Sequence, residues 1–204
     1  MQIVLATRNQ GKVIEFRRIL AEIAGNNSTN LNNLNNLEVL ALDAFPEIGE
    51  IEETGSTFEE NSLLKARAIS KITGLPALAD DSGICVAALN GAPGIYSARY
   101  SGEGDTANNQ KLLAELTKVP DGKRQAYFIC VAAFVRPDGF EKVTEGRFHG
   151  KILHEVRGGG GFGYDPLFQP EGLDRSAAEL SAEEKDAISH RGIALRAIAP
   201  YIIG

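Results

Sequence analysis

The stretch YFICVAAFV (residues 127–135) is apolar at every position but keeps no helical spacing of polar residues. Side chains along a strand alternate between the two sides of a sheet, so this segment predicts a central strand covered on both faces. It is far too short to cross a bilayer, which takes about 18 or more apolar residues. A Pro137-Asp138-Gly139 turn follows, and residues 124–156 together predict two or three strands arranged around it.

Outward from that core the chain alternates strand-like and helical segments. QIVLA (2–6) reads as a short buried strand. KVIEFRRILAEIA (12–24) carries Phe16, Ile19, Leu20 and Ile23 at helical spacing. LEVLALD (37–43) reads as a strand. Thr57 and Glu60 form a capping box that opens a helix with Leu64, Ala68, Ile69 and Ile72 on its apolar stripe. PALAD (76–80) and GICVAAL (83–89) are both strand-like. DTANNQKLLAELTKV (105–119) opens on a capping residue and continues as a helix. Ser181 and Glu184 mark another capping box ahead of a C-terminal helix. The pattern predicts an α/β fold with a mixed sheet and flanking helices. An Asn-rich tract (25–37), with too little apolar surface to fold alone, reads as a flexible insertion.

The 204 residues suit one domain, or two lobes sharing a sheet. Cys85 and Cys130 both lie in apolar runs, which predicts buried, reduced thiols and no metal site. The opening residues lack the basic-then-apolar order of a signal peptide, so a cytoplasmic protein is expected. A net charge of −6 argues against broad nucleic-acid or membrane binding. It leaves room for an anionic small molecule in a local basic pocket.

Four segments carry chemistry. TRNQGK (7–12) lies between a strand and a helix, where unpaired N–H groups and the helix dipole favour an anion. Thr7, Asn9 and Lys12 can donate to phosphate oxygens there, although the Walker spacing is absent. A second set comprises Glu52 and Glu53, with Asp80 and Asp81 at the end of a strand. Carboxylates from separate segments suit Mg²⁺, which takes hard oxygen ligands and keeps several waters. The third segment is GGGGFGYDPLF (158–168). It matches Gly-x-Gly-x-x-Gly literally, but Pro166 blocks the helix that a dinucleotide fingerprint must open. A glycine loop carrying Phe162, Tyr164 and Asp165 instead suits contact with a base, the aromatic to stack and the carboxylate to select. The fourth is KDAISHRG (185–192), which gathers Lys185, His190 and Arg191 in an acidic chain; helix-end electrostatics is its plainer reading.

In this order, ATRNQGKVIEF, EETGSTFEENSLLKA, ADDSGICVAALNGAPGIYSARYSG, GGGGFGYDPLF and SAEEKDAISHRG resemble the signature blocks of the inosine triphosphatase family, the non-canonical purine NTP pyrophosphatases. The likeness spans the chain apart from the Asn-rich tract. It implies an elongated α/β fold with a long mixed sheet, two lobes around a central cleft and a homodimer. It also implies Mg²⁺-dependent hydrolysis of ITP, dITP and XTP to the monophosphate and pyrophosphate. By position, Thr7, Arg8, Asn9, Gln10, Gly11 and Lys12 would hold the triphosphate, with Lys65 and Lys185 adding charge. Asp81 would be general base and metal ligand, and either Glu52 or Glu53 the second carboxylate. Ser82, Phe162, Gly163, Tyr164, Asp165, His190 and Arg191 would contact the nucleotide. The alternatives are a sister pyrophosphatase for other modified nucleotides and a nucleotide-binding module without turnover.

Overall fold

The computed structural model describes residues 1–26 and 37–203. Most of the expected insertion, residues 27–36, therefore lies outside the described residues. The main elements are β1 (Gln2–Leu5), α1 (Gln10–Asn26), β2 (Glu38–Ala41), α2 (Phe58–Thr73), β3 (Ala77–Val86) and α3 (Asp105–Glu115). After these come β4 (Gln125–Val135), β5 (Glu141–Ile152), β6 (Phe168–Pro170), α4 (Ala182–Ile188) and α5 (His190–Ile203). The strands form one sheet in the order β2-β1-β3-β4-β5-β6. β1 is parallel to both β2 and β3, and β5 is antiparallel to β6, so the sheet is mixed as expected. β4 does lie in the interior of the order, and nearly all its residues are buried. The β4–β5 turn closes with the Arg136 N–H donating to the Phe140 carbonyl at 2.9 Å.

The chain divides into two compact units: Met1–Asp81, Cys130–Glu145 and Arg191–Gly204 form the first, and Ser82–Ile129 with Gly146–His190 the second. Each has its own core. In the first, Ile3, Leu5, Leu78, Cys130, Ala132 and Phe134 face Phe16, Ile19 and Leu20 of α1 and Leu195 and Ile198 of α5. The residues between them in sequence, Val4, Ala77, Ala79, Ala133 and Val135, join Ala66 and Ile69 of α2. That alternation is the period of two that puts neighbouring strand residues on opposite sheet faces. Each fully buried Phe, Leu or Ile contributes about 1.5–3 kcal/mol through burial. In the second unit Ile84, Val86, Leu112, Phe128, Phe148, Ile152 and Phe168 form the core.

Three local expectations change. Residues 76–80 and 83–89 are not separate strands; β3 runs unbroken through Asp80 and Asp81. The aspartates therefore sit inside a strand rather than at its end. The Thr57 side chain does accept from the Glu60 N–H at 3.1 Å, but the Glu60 carboxylate turns to the N–H and hydroxyl of Ser56, so the box is not reciprocal. Helix α3 begins behind Gly104 with no side-chain cap, and ends at Glu115. The Ser181/Glu184 box is complete.

Candidate active site

Strand order turns at β1, with β2 on one side and β3 on the other. In open α/β sheets such a reversal leaves a crevice beyond the strands' carboxyl ends, where ligands bind. Val4 pairs with Ala77 and Leu5 with Leu78, so the chain leaving β1 at Thr7 runs alongside Asp80. Asn9 caps α1: its side-chain oxygen accepts from the Lys12 N–H at 3.1 Å, while its own N–H donates to Thr7 Oγ1 at 3.2 Å. Arg8 and Gln10 lean the other way. Arg8 donates to the Ile48 carbonyl at 2.6 Å, and Gln10 to Asp43 at 2.8 Å. Arg8, Asn9 and Gln10 are exposed, and Gly11 is half-buried.

The neighbouring aspartates have opposite environments. Asp80 is 1% exposed. Lys12 Nζ reaches it at 3.0 Å and Arg191 Nη2 at 3.3 Å. Burial alone would raise its pKa, but Lys12, Arg191 and Lys65 outweigh that and hold the carboxyl well below the usual range. Arg191, itself buried, also donates to Glu15 of α1. These pairs answer the cost of burying Asp80 inside a strand, because without Lys12 and Arg191 its charge would be buried alone.

Asp81 points to different company. The Asn61 amide donates to its Oδ2 at 3.1 Å, and Asn61 is itself fixed by the Gly55 N–H at 2.8 Å. Lys65, one helical turn beyond Asn61, lies 3.9 Å from Asp81 and donates to Glu53. Burial first, and then the nearby Glu53 charge, raise the Asp81 pKa despite Lys65. Lys65 keeps its proton: burial opposes it, but Asp80, Asp81 and Glu53 raise its pKa. Glu52 is exposed, so Glu53 is the member of the acidic pair brought to Lys65. Among the described residues no three His, Cys, Asp or Glu converge into a metal cage. Two carboxylates balanced against one ammonium are nonetheless a donor set that fits Mg²⁺, which is usually held by one or two carboxylates plus phosphate and water.

The second unit holds the remaining expected residues. The glycine loop opens no helix; a short 3₁₀ turn (Asp165–Leu167) leads directly into β6. Asp165 is buried, accepting from Lys185 at 2.5 Å and from the Phe162 N–H at 2.9 Å. A Cβ at Gly161 would lie 2.1 Å from Asp165 Oδ2, and Gly161 has φ +69°, so only glycine permits this closure. Tyr164 is also buried, its hydroxyl donating to the Ser97 carbonyl at 2.9 Å. Phe162 is half-buried, with Lys185 Nζ 5.1 Å from its ring centre. His190 stacks on Phe128, ring centres 4.9 Å apart. Ser82 is half-buried in β3.

Thus Thr7–Lys12, Glu53, Lys65, Asp81 and Arg191 belong to the first unit, and Ser82, residues 162–165, Lys185 and His190 to the second. Arg191, expected at the base, is seen holding Glu15 and Asp80. Asn61 and Glu15 are organising residues that the sequence reading did not single out. A signal existed for Asn61: it stands four positions before Lys65 on one helix, and hence on the same face.

Fold and site together define a mixed α/β protein with a strand-to-helix turn at Thr7–Lys12 and, beside it, buried carboxylates and a lysine. The chain belongs to the Ham1 family, whose model matches residues 3–201. It is 52% identical to a dITP/XTP pyrophosphatase of Streptomyces coelicolor, over 98% of this chain and 96% of that protein. A dITP/XTP pyrophosphatase of Geobacter sulfurreducens is 49% identical, over 98% and 96%. Among solved structures, a HAM1 protein from Coxiella burnetii superposes with a TM-score of 0.84 at 41% identity, covering 99% of this chain and 98% of that one. The nucleoside-triphosphatase / dITP/XTP pyrophosphatase of Mycobacterium abscessus gives 0.74 at 48% identity, covering 98% and 100%.

Proposed function

We propose that this chain is a nucleoside triphosphate pyrophosphatase, hydrolysing dITP, XTP and ITP to the monophosphate and pyrophosphate. One observation carries the reading: the β1–β3 register brings the Thr7–Lys12 turn, where α1 starts, alongside Asp80, the neighbour of Asp81. A triphosphate brings several negative charges, and the exposed N–H groups of the α1 start with Lys12 and Lys65 are suited to meeting them. The relatives' shared name, dITP/XTP pyrophosphatase, supports the same activity.

Asp81 is the general base in this reading. A water oxygen attacks the α-phosphorus, the bond from that phosphorus to the bridging oxygen breaks, pyrophosphate departs, and Asp81 takes the water's proton. Its raised pKa, from burial and Glu53, fits a base better than that of the deeply ionised Asp80. Asn61 holds the Asp81 carboxylate in place, and Lys65 opposes the charge that grows on the phosphates. Asp81 and Glu53 would hold Mg²⁺, which when bound neutralises phosphate oxygens. In the second unit, Phe162 and His190 supply ring surface and a donor for a 6-oxo purine. Lys185 is the second-unit cation assigned to the triphosphate. A homodimer belongs to the same proposal and is read by light scattering in solution.

The direct test is incubation with dITP, ITP, XTP, dATP and dGTP, with and without Mg²⁺, measuring pyrophosphate and monophosphate. Mg²⁺-dependent pyrophosphate from the first three, with little from the last two, is expected. Orthophosphate as the first product, or nucleotide binding without turnover, would overturn the proposal.

A further inference from the structure

The structure assigns Asp105 and Asn109 as positioning residues for the base-contacting loop, an inference that rests on the role proposed above for residues 162–165. Both lie on α3, four residues apart and so on one face of the helix. Asp105 Oδ2 accepts from the Gly163 N–H at 2.8 Å, and Asn109 Nδ2 donates to the Gly163 carbonyl at 2.9 Å. One helix face thereby takes both backbone polar groups of a single glycine. Gly163 has φ +63°, a conformation that L side chains rarely adopt, and it sits between Phe162 and Tyr164.

Two details argue that this grip is more than incidental packing. Asp105 occupies a position where a carboxylate would ordinarily serve its own helix, yet α3 has no side-chain cap and Asp105 reaches across to the loop instead. Asn109 is 8% exposed, and its Oδ1 has no hydrogen-bond partner among the described residues. A buried amide left half-satisfied is costly. The orientation is explained by the Gly163 carbonyl, which requires a donor. The adjacent Asn108 has a different task, bonding the Ser97 and Ala98 carbonyls and the N–H and hydroxyl of Ser101. With the Gly163 peptide fully engaged, it acts as an anchor that fixes where Phe162, Tyr164 and Asp165 stand. A site discriminates between bases only when its partners are held in place before binding, so loosening the anchor costs selectivity for 6-oxo purines before it costs chemistry.

The test compares the full chain with Asn109→Leu, Asp105→Ala and Asp105→Asn. Steady-state kinetics with dITP and dATP are combined with amide hydrogen exchange over residues 159–166 and thermal unfolding. For Asn109→Leu and Asp105→Ala, exchange at the loop speeds up and KM for dITP rises about tenfold or more, while kcat stays within about threefold. The dITP-to-dATP ratio of kcat/KM falls about tenfold. Asp105→Asn keeps an acceptor oxygen and restores the ratio to within about threefold of the parent. If Asn109→Leu fails to fold, the Asp105 pair carries the test alone. Unchanged loop exchange in the folded variants, or faster exchange with an unchanged ratio, would overturn the assignment. A parent chain that releases no pyrophosphate from dITP would overturn the proposed function instead, while the exchange result still reads the anchor.

Discussion

Asp80 and Asp81 are the same residue type one bond apart, and the fold gives them opposite work. Asp80 is enclosed by Lys12 and Arg191, whereas Asp81 is held by Asn61 next to Lys65 and Glu53. The substitution Asp81→Asn separates function from stability. Turnover falls by about 10²–10⁴-fold because the proposed base is lost, while nucleotide binding survives. The folded state disfavours the Asp81 charge, so the neutral amide leaves the unfolding midpoint unchanged or slightly higher. Calorimetry beside a turnover assay reads both, and full activity in Asp81→Asn moves the base elsewhere. Asp80 shows the converse. Its folded pKa lies below that of the unfolded chain, about 3.9, so its ionised pairing stabilises the fold fully above about pH 5. That contribution fades as the pH drops below about 4. Urea unfolding of the parent and Asp80→Asn between pH 7 and pH 3 checks the sign: the gap is widest at neutral pH, about 3–5 kcal/mol, and narrows in acid. A constant gap would remove Asp80 from the acid limb.

At the scale of elements, a single buried cation ties three segments of the second unit together. Arg124 is 2% exposed and donates to the carbonyls of Leu116 and Val119, just beyond α3, and of Ile152 and Leu153 at the end of β5. Burial lowers its pKa, yet the carbonyl cage keeps it useful as a polyvalent donor. Arg124→Met retains the length and removes every donor. It destabilises by about 3 kcal/mol or more, since several buried carbonyls lose their partner, and a denaturant titration with unchanged slope confirms it. A loss under about 1 kcal/mol would mean that water replaces the guanidinium. The helices were easier to foresee than this staple. Leu195 and Ile198 of α5 are buried, whereas Ile193 of the same helix is 40% exposed. Nothing in a local pattern tells that a lone arginine before a strand turns inward to collect carbonyls from two distant ends.

Across the molecule, burial decides the chemistry of the thiols. Cys85 and Cys130 are both free and buried, as their apolar surroundings implied. Burial pushes both thiols above their ordinary pKa, and at Cys130 the Asp80 charge adds to it. Neither cysteine therefore reacts with a thiol reagent in the native chain at pH 8, and two react once it is unfolded. Stoichiometric labelling before and after guanidinium addition measures this, and prompt native labelling would show that a core opens. No helix among the described residues is long and apolar enough to cross a membrane.

What the sequence alone determined is what depends on local order. The unbroken apolar run of residues 127–135 put β4 inside a sheet. Pro166 after the glycines ruled out a dinucleotide helix, and the apolar patterns at 2–24 marked a strand–turn–helix around Thr7–Lys12. The spaced blocks carried the family. Tertiary structure alone decided which charges meet. It joined two expected strands into one through Asp80 and Asp81, because Lys12 and Arg191 arrive from helices far away in sequence to neutralise the first of them. It brought Glu53 to Lys65 while Glu52 stayed exposed, and sent Asp105 from its own helix to Gly163. Strand and helix periodicity is written in neighbouring residues, whereas an ion pair depends on the distance between side chains that only folding brings together.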